Sequence, residues 1–190
     1  MKIVSGLALI FTLMPSLFAA DPVVPVVYSG TSWKQTLLER LPLYGHRNWI
    51  VIADSAYPDQ SAPGIDTIVS NADHLQVLKE VLGALSSSRH VDPIIYTDRE
   101  LKFLTDEDAP GIGKYREQLN EVLQGRTTQS LLHERIIAKL DEVSRTFRVL
   151  IIKTNLALPY TSVFLQLDFK YWGQDAEQKL RSRMAAESGK

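Results

Sequence analysis

Residues 45–58 read GHRNWIVIADSAYP, and they contain the clearest strand signal of the chain. At its centre, residues 49–53 are five consecutive apolar residues, a pattern typical of a strand buried on both faces of a sheet. Asp54 follows this run directly, and His46 lies eight residues before Asp54. Ligands of open α/β sheets bind at the carboxyl ends of strands, so Asp54 is a candidate ligand for polar substrate groups. The alternative is that Asp54 caps the following turn and that His46 is a loop residue.

Outward from this strand, helical and strand patterns alternate along the chain. Apolar residues at helical spacing predict helices over residues 33–41, 74–85 and 114–123. Short apolar runs predict further strands over residues 65–69, 93–96, 149–152 and 163–167. The longest helix is predicted to start at Thr128 or Ser130 and to reach Phe147. This alternation predicts the α/β class, as a three-layer α/β/α sandwich with a largely parallel or mixed sheet.

The first 20 residues have the features of an export signal. Lys2 provides a positive charge, residues 3–18 are mostly apolar, and two alanines end the segment. An uncleaved anchor is the alternative, although the run is short for a spanning helix and Pro15 interrupts it. We therefore predict a signal peptide over residues 1–20 and a secreted or periplasmic protein.

The rest of the chain divides into three parts. Residues 21–31 are rich in proline and predict an extended lead-in. Residues 32–170 are expected to form one α/β domain, and residues 171–190 a charged tail that is helical or frayed. No later stretch approaches the ~20 apolar residues of a spanning helix, so we predict no membrane segment after signal cleavage.

Composition argues against several classes of function. The 190 residues carry a formal net charge of −1, which provides no electrostatic attraction for nucleic acid or an anionic membrane. The absence of cysteine excludes disulfides, cysteine–zinc sites, thiol nucleophiles and a lipoprotein anchor. The four histidines are not spaced as a zinc motif, and His74 and His90 are predicted to be exposed or capping residues. Nucleotide-binding motifs are also missing, which is consistent with a protein that uses no metal and no cofactor.

Residues 45–58 resemble the opening motif of the ribose pyranase and fucose mutarotase (RbsD/FucU) family. That motif is Gly-His, a few polar residues, an apolar strand, and then Asp shortly before Pro, with the same interval from His to Asp. Similarity continues in outline over about residues 33–168, and includes VLIIKT at 149–154 and YTSVFL at 160–165. The resemblance implies the family's fold. It also implies cofactor-independent interconversion of the ring or anomeric forms of a monosaccharide.

The resemblance implies roles for five residues. His46 would be the general acid, and Asp54 would bind the sugar. His133, at a helix start, and Tyr160 would take part in proton transfer and in sugar binding. Ser162, a further substrate-binding candidate, replaces the family's Asn and keeps a hydroxyl but lacks the two amide donors. The alternatives are that His133 only packs against its helix and that Tyr160 only covers the core.

The chemistry suits these residue types. Ring opening requires that one group protonates the ring oxygen while another deprotonates the anomeric hydroxyl, and histidine can do either near neutral pH. The competing hypotheses are a non-catalytic monosaccharide-binding protein on the same fold and a structural or interaction protein. The resemblance further implies a homo-oligomeric ring with sites near subunit contacts. The export signal departs from the family, whose familiar members are cytoplasmic.

Overall fold

The computed structural model describes residues 32–188, so the predicted signal peptide (1–20) and lead-in (21–31) lie outside the described residues. Six strands form one sheet within these residues: β1 (Trp49–Ala53), β2 (Ile65–Val69), β3 (Val91–Asp98), β4 (Thr128–Leu131), β5 (Val149–Lys153) and β6 (Val163–Phe169). The five α-helices of the same range are α1 (Trp33–Arg40), α2 (His74–Ser87), α3 (Ile112–Val122), α4 (His133–Val143) and α5 (Gln174–Ser188). Short 3₁₀ helices cover Leu41–Leu43 and Arg99–Phe103.

The sheet is mixed, with the strand order β2-β5-β1-β6-β3-β4. β6 is antiparallel to both of its neighbours, β1 and β3, whereas the other pairs are parallel. The carboxyl ends of β1 and β3 therefore lie at the same edge as the start of β6. We call this the carboxyl edge, and we call the opposite edge, where β1 begins and β6 ends, the amino edge.

Helices cover both faces of the sheet, which confirms the predicted α/β sandwich. Apolar residues of α1, α2 and α3 pack on one face, and Ile136 and Leu140 of α4 pack on the other. All five residues of β1 are buried, as its continuous apolar run predicts. Ile50 and Ile52 belong to the first of these core layers, and Trp49, Val51 and Ala53 belong to the second. Full burial of each large aliphatic side chain stabilises the fold by about 1.5–3 kcal/mol, so β1 contributes to both layers.

The predicted start of the longest helix at Thr128 or Ser130 is wrong. Thr128–Leu131 is the edge strand β4, which pairs in parallel with β3. Its backbone groups gain hydrogen bonds from a strand distant in sequence, and a local pattern does not contain that information. The helix α4 begins instead at His133, whose backbone N–H donates to both carboxylate oxygens of Glu100 at 3.1 Å. This carboxylate, from the 3₁₀ helix after β3, stabilises the helix N-terminus.

The charged tail contains the helix α5, whose described side chains are half-buried or exposed. Trp172 Nε1–H donates to Glu177 at 2.8 Å, and Arg181 Nε donates to the same carboxylate at 2.6 Å. Among residues 32–188, no helix is both long enough and apolar enough to cross a membrane.

Candidate functional site

Asp54 lies at the carboxyl edge, directly after β1, and its carboxylate is held by two donors. The Ser162 hydroxyl donates to Oδ2 at 3.0 Å, and the backbone N–H of Ala56 donates to Oδ1 at 2.9 Å. The backbone N–H of Asp54 also donates to the Ser162 hydroxyl oxygen at 3.4 Å. Asp54 therefore caps the turn, as the alternative interpretation predicts, and its half-buried carboxylate contacts the Ser162 hydroxyl. Its role as a ligand stays a prediction.

Tyr160 and Ser162 enter the site from the segment that precedes β6. Tyr160 has φ of 55°, the left-handed region that is unfavourable for a residue with a Cβ. The residue is 39% exposed, and its ring meets the His133 ring edge-on, with 5.7 Å between the ring centroids. A non-glycine residue held in this conformation indicates that the surrounding contacts fix the turn and thereby aim the ring.

His133 is the first residue of α4 and is oriented by a buried carboxylate. Its Nδ1 lies 3.1 Å from Oδ1 of Asp98, the last residue of β3. Because a carboxylate accepts, Nδ1 carries the proton of this hydrogen bond, and Nε2 is the nitrogen left for a ligand. The imidazole side chain is 36% exposed, so a ligand can approach it from solvent.

Asp98 is a functional candidate that the sequence reasoning missed. Its side chain is fully buried, and its Oδ2 has no hydrogen-bond partner among the described residues. Burial raises the pKa of Asp98 well above its ordinary value, although His133 opposes this shift. The nearby charges of Glu100 and Asp54 raise the pKa further. A signal was present in the sequence, since Asp98, like Asp54, is an acid at the carboxyl end of an apolar strand.

His46 lies at the amino edge, away from the other candidates. Its side chain is exposed and meets the ring of Phe169, at the end of β6, with 5.5 Å between centroids. The next residue, Arg47, donates its backbone N–H to the carbonyl of Leu167. Since β1 separates His46 from Asp54 and its five extended residues cover about 16 Å, the two side chains cannot meet within one chain.

Four of the five predicted site residues are therefore brought together in one chain. Contacts run from Asp54 to Ser162, along the chain to Tyr160, across to His133, and on to the newly found Asp98. We call this group the carboxyl-edge cluster. It combines two carboxylates, a hydroxyl, a phenol ring and an imidazole at one edge of the sheet, which are groups suited to binding hydroxyls and to moving a proton.

The two remaining histidines have structural contacts. The prediction that His74 is exposed or capping is wrong, because it is 1% exposed and contacts the Ile52 carbonyl and the Tyr115 hydroxyl. His90 caps a neighbouring segment, since its Nε2 lies 3.0 Å from the carbonyl of Tyr44. In the part of the chain that the structure describes, no group of three or more potential ligands is arranged to hold a metal ion.

Comparisons with known proteins identify the fold. No protein-family model matches the chain, and no curated protein sequence does so. RbsD of Bacillus subtilis, solved in complex with D-ribose, is similar at a TM-score of 0.50 and 18% identity, over 70% of this chain and 91% of that chain. The fucose mutarotase of Streptococcus pneumoniae, solved with L-fucose, has a TM-score of 0.47 and 23% identity over 70% and 91%. The similarity to RbsD shows that this chain has the RbsD-like α/β fold.

Proposed function

We propose that the protein is a divergent RbsD/FucU-like enzyme that interconverts the ring or anomeric forms of a free monosaccharide without a cofactor. The observation that carries the proposal is the carboxyl-edge cluster, in which Asp54 and Ser162 are linked through Tyr160 to the His133–Asp98 pair. The fold is that of a protein solved with D-ribose, and the opening motif resembles the same family. A small neutral sugar also suits a chain with a net charge of −1.

His133 is the proposed proton-transfer group of the cluster. Asp98 accepts the Nδ1 proton, so Nε2 can take a proton from the anomeric hydroxyl or return one to the ring oxygen. When Nε2 is protonated, the imidazolium is paired with the Asp98 carboxylate, which stabilises the charge that forms during proton transfer. General acid–base assistance of this kind contributes about 10²–10⁴-fold, which is adequate for a reaction that also proceeds in water.

Asp54 is the proposed ligand for sugar hydroxyls. A carboxylate accepts several hydrogen bonds, and the two that Asp54 already receives fix its plane without exhausting its lone pairs. Ser162 has a single hydroxyl proton, which it gives to Asp54. We therefore expect Ser162 to contact the sugar only as an acceptor and to act mainly by holding Asp54.

Tyr160 is the proposed wall of the sugar site. Its exposed ring offers an apolar face for the C–H groups of a sugar, and its hydroxyl offers one donor and one acceptor. The edge-on contact with His133 places this ring beside the proposed proton-transfer group.

His46 can reach such a site only from a second copy of the chain. Within one chain it lies at the amino edge, whereas the carboxyl-edge cluster lies at the opposite end of β1. A head-to-tail contact between copies would bring one amino edge to the next carboxyl edge, and repeated contacts of this type form a ring when the rotation between copies closes. We therefore propose a homo-oligomer in which His46 of each copy serves as general acid for the cluster of its neighbour.

Saturation-transfer NMR on D-ribose, L-fucose and other free sugars tests the activity. We expect the wild type to accelerate exchange between anomers or ring forms, and His46→Ala to abolish most of that acceleration. Leu43→Ala, an exposed change three residues away, is the matched control and should behave as the wild type. Equal acceleration by the wild type and His46→Ala would show that the assignment of His46 is wrong.

The second candidate function is sugar binding without catalysis. The observation that favours it is the serine at position 162, whose hydroxyl proton is already bound to Asp54. A binding protein would show saturable association with a monosaccharide, by calorimetry or by ligand-observed NMR, and no acceleration of exchange for any sugar.

Export remains a proposal based on the sequence of the first 20 residues. We expect the mature protein to be found outside the cytoplasm and to begin near residue 21. Amino-terminal sequencing of protein from the periplasm or medium tests this. Recovery of the full-length chain from a membrane fraction would instead support the uncleaved anchor.

A further inference from the structure

Beneath the carboxyl-edge cluster, His74 and Tyr115 form a buried polar pair in an otherwise apolar layer. His74 is the first residue of α2, Tyr115 belongs to α3, and the two side chains are 1% and 5% exposed. His74 Nε2 lies 3.3 Å from the carbonyl oxygen of Ile52, and the Tyr115 hydroxyl donates to the carbonyl of Thr161 at 2.8 Å. The hydroxyl oxygen is also 3.2 Å from His74 Nδ1.

The two carbonyls belong to the two backbone segments that carry three of the five residues of the cluster. Ile52 lies two residues before Asp54, and Thr161 lies between Tyr160 and Ser162. The pairing of β1 with β6 ends at Ile52 and Val163, so the strand ladder does not reach the site residues. The His74–Tyr115 pair contacts both segments at the point where the pairing of β1 with β6 ends.

Each side chain of the pair has one proton to donate, and a backbone carbonyl accepts each of these protons. A carbonyl only accepts, so Nε2 of His74 carries its ring proton and the Tyr115 hydroxyl proton points to Thr161. Nδ1 of a neutral ring then has no proton and faces the same hydroxyl oxygen. The single hydroxyl proton is therefore given to Thr161, and removal of this hydroxyl would leave the Thr161 carbonyl buried without a donor.

We propose that His74 and Tyr115 are positioning residues, which hold the Asp54 strand end and the Tyr160–Ser162 segment at the separation that assembles the site. At this separation, the Ser162 hydroxyl contacts the Asp54 carboxylate and the Tyr160 ring contacts the His133 ring. The left-handed backbone at Tyr160 needs such support, because the conformation is unfavourable by itself. The effect on sugar affinity rests on the proposed function, whereas the effect on the segment does not.

Tyr115→Phe tests the proposal, with Tyr44→Phe as the matched control. Tyr44 is a buried tyrosine of the same core layer, and its hydroxyl has no hydrogen-bond partner among the described residues. We expect Tyr115→Phe to speed amide hydrogen exchange at Thr161 and Ser162 by about tenfold or more, and to weaken sugar affinity by a similar factor. Tyr44→Phe should change neither quantity.

His74 provides the second arm, in which a conservative variant is compared with an apolar one. His74→Gln keeps an N–H donor that can reach the Ile52 carbonyl and should retain protection at Ser162, whereas His74→Leu should lose it. Unchanged exchange at Thr161 and Ser162 in Tyr115→Phe, or equal protection in the Gln and Leu variants, would overturn the positioning role. Protection that responds as expected, in a protein that neither binds nor converts any sugar, would uphold positioning and refute the proposed function.

Discussion

The two ends of β1 carry the two halves of the same sequence motif, yet they differ in almost every physical respect. At the carboxyl edge, the Asp54 carboxylate receives two hydrogen bonds and lies above a buried polar pair. At the amino edge, His46 is exposed, and the contact that orients its ring is with Phe169. Two residues separated by a buried strand are necessarily far apart, because an extended chain advances about 3.3 Å per residue. The two ends of this motif therefore lie on two separate surfaces of the chain and not in one pocket.

The largest expected effect is at His133, which provides the imidazole of the carboxyl-edge cluster. His133→Ala should lower the acceleration of sugar exchange by about 10²–10⁴-fold, because it removes the proposed proton-transfer group. Arg135→Ala, an exposed change in the same helical turn, is the control and should keep the wild-type rate. Both variants are measured by saturation transfer at equal protein concentration. A loss smaller than about threefold in His133→Ala would assign proton transfer to other groups.

The next effect tests whether the two edges meet between copies. His46→Ala and Asp54→Asn should each be nearly inactive alone. In a head-to-tail assembly formed from an equal mixture, about a quarter of the contacts pair an intact His46 with an intact Asp54, so about a quarter of wild-type activity should return.

The control for this mixing experiment is a mixture of two variants that are both changed at position 46. A mixture of His46→Ala with His46→Gln contains no contact with a native imidazole and should stay inactive. Native mass spectrometry of differently tagged chains establishes that mixed oligomers form. No recovery in mixed oligomers of His46→Ala and Asp54→Asn would contradict a site shared between copies.

The parts of the fold that depend on local pattern could be predicted from the sequence. The five apolar residues of β1 predict a strand buried on both faces, which the structure confirms, and Asp54 lies at the strand end because it follows them directly. The helix α2 follows from its apolar spacing and from Asp73, which caps it by accepting the N–H of Gln76.

Features that depend on pairing between distant segments could not be predicted in this way. Asp98 lies 35 residues from its partner His133, and the two meet because β4 pairs with β3 and delivers α4 to the end of that strand. Because of the same pairing, Thr128 begins the strand β4 and not the expected helix. His74 was misjudged for a related reason, since only the packing of α2 against α3 shows that its ring meets Tyr115.

The smallest expected effect concerns His74, which is buried beneath the carboxyl-edge cluster. Burial lowers the pKa of His74 to about 4, against weaker opposing effects of the Ile52 carbonyl and the Asp54 and Asp73 carboxylates. Between pH 4 and the ordinary histidine pKa near 6.5, the unfolded chain therefore binds more protons at this residue than the folded chain. The contribution of His74 to the free energy of unfolding is complete above this range and falls by about 3 kcal/mol as the pH drops through it.

Chemical denaturation of the wild type and His74→Gln at several pH values measures this contribution. Asp98, whose raised pKa acts in the opposite direction, is present in both proteins and cancels from the difference. We expect the wild type to lose more stability than His74→Gln between pH 6.5 and pH 4, since glutamine does not titrate. Parallel curves for the wild type and His74→Gln would mean that His74 is protonated at no cost, and the buried layer beneath Asp54 would then have to admit water.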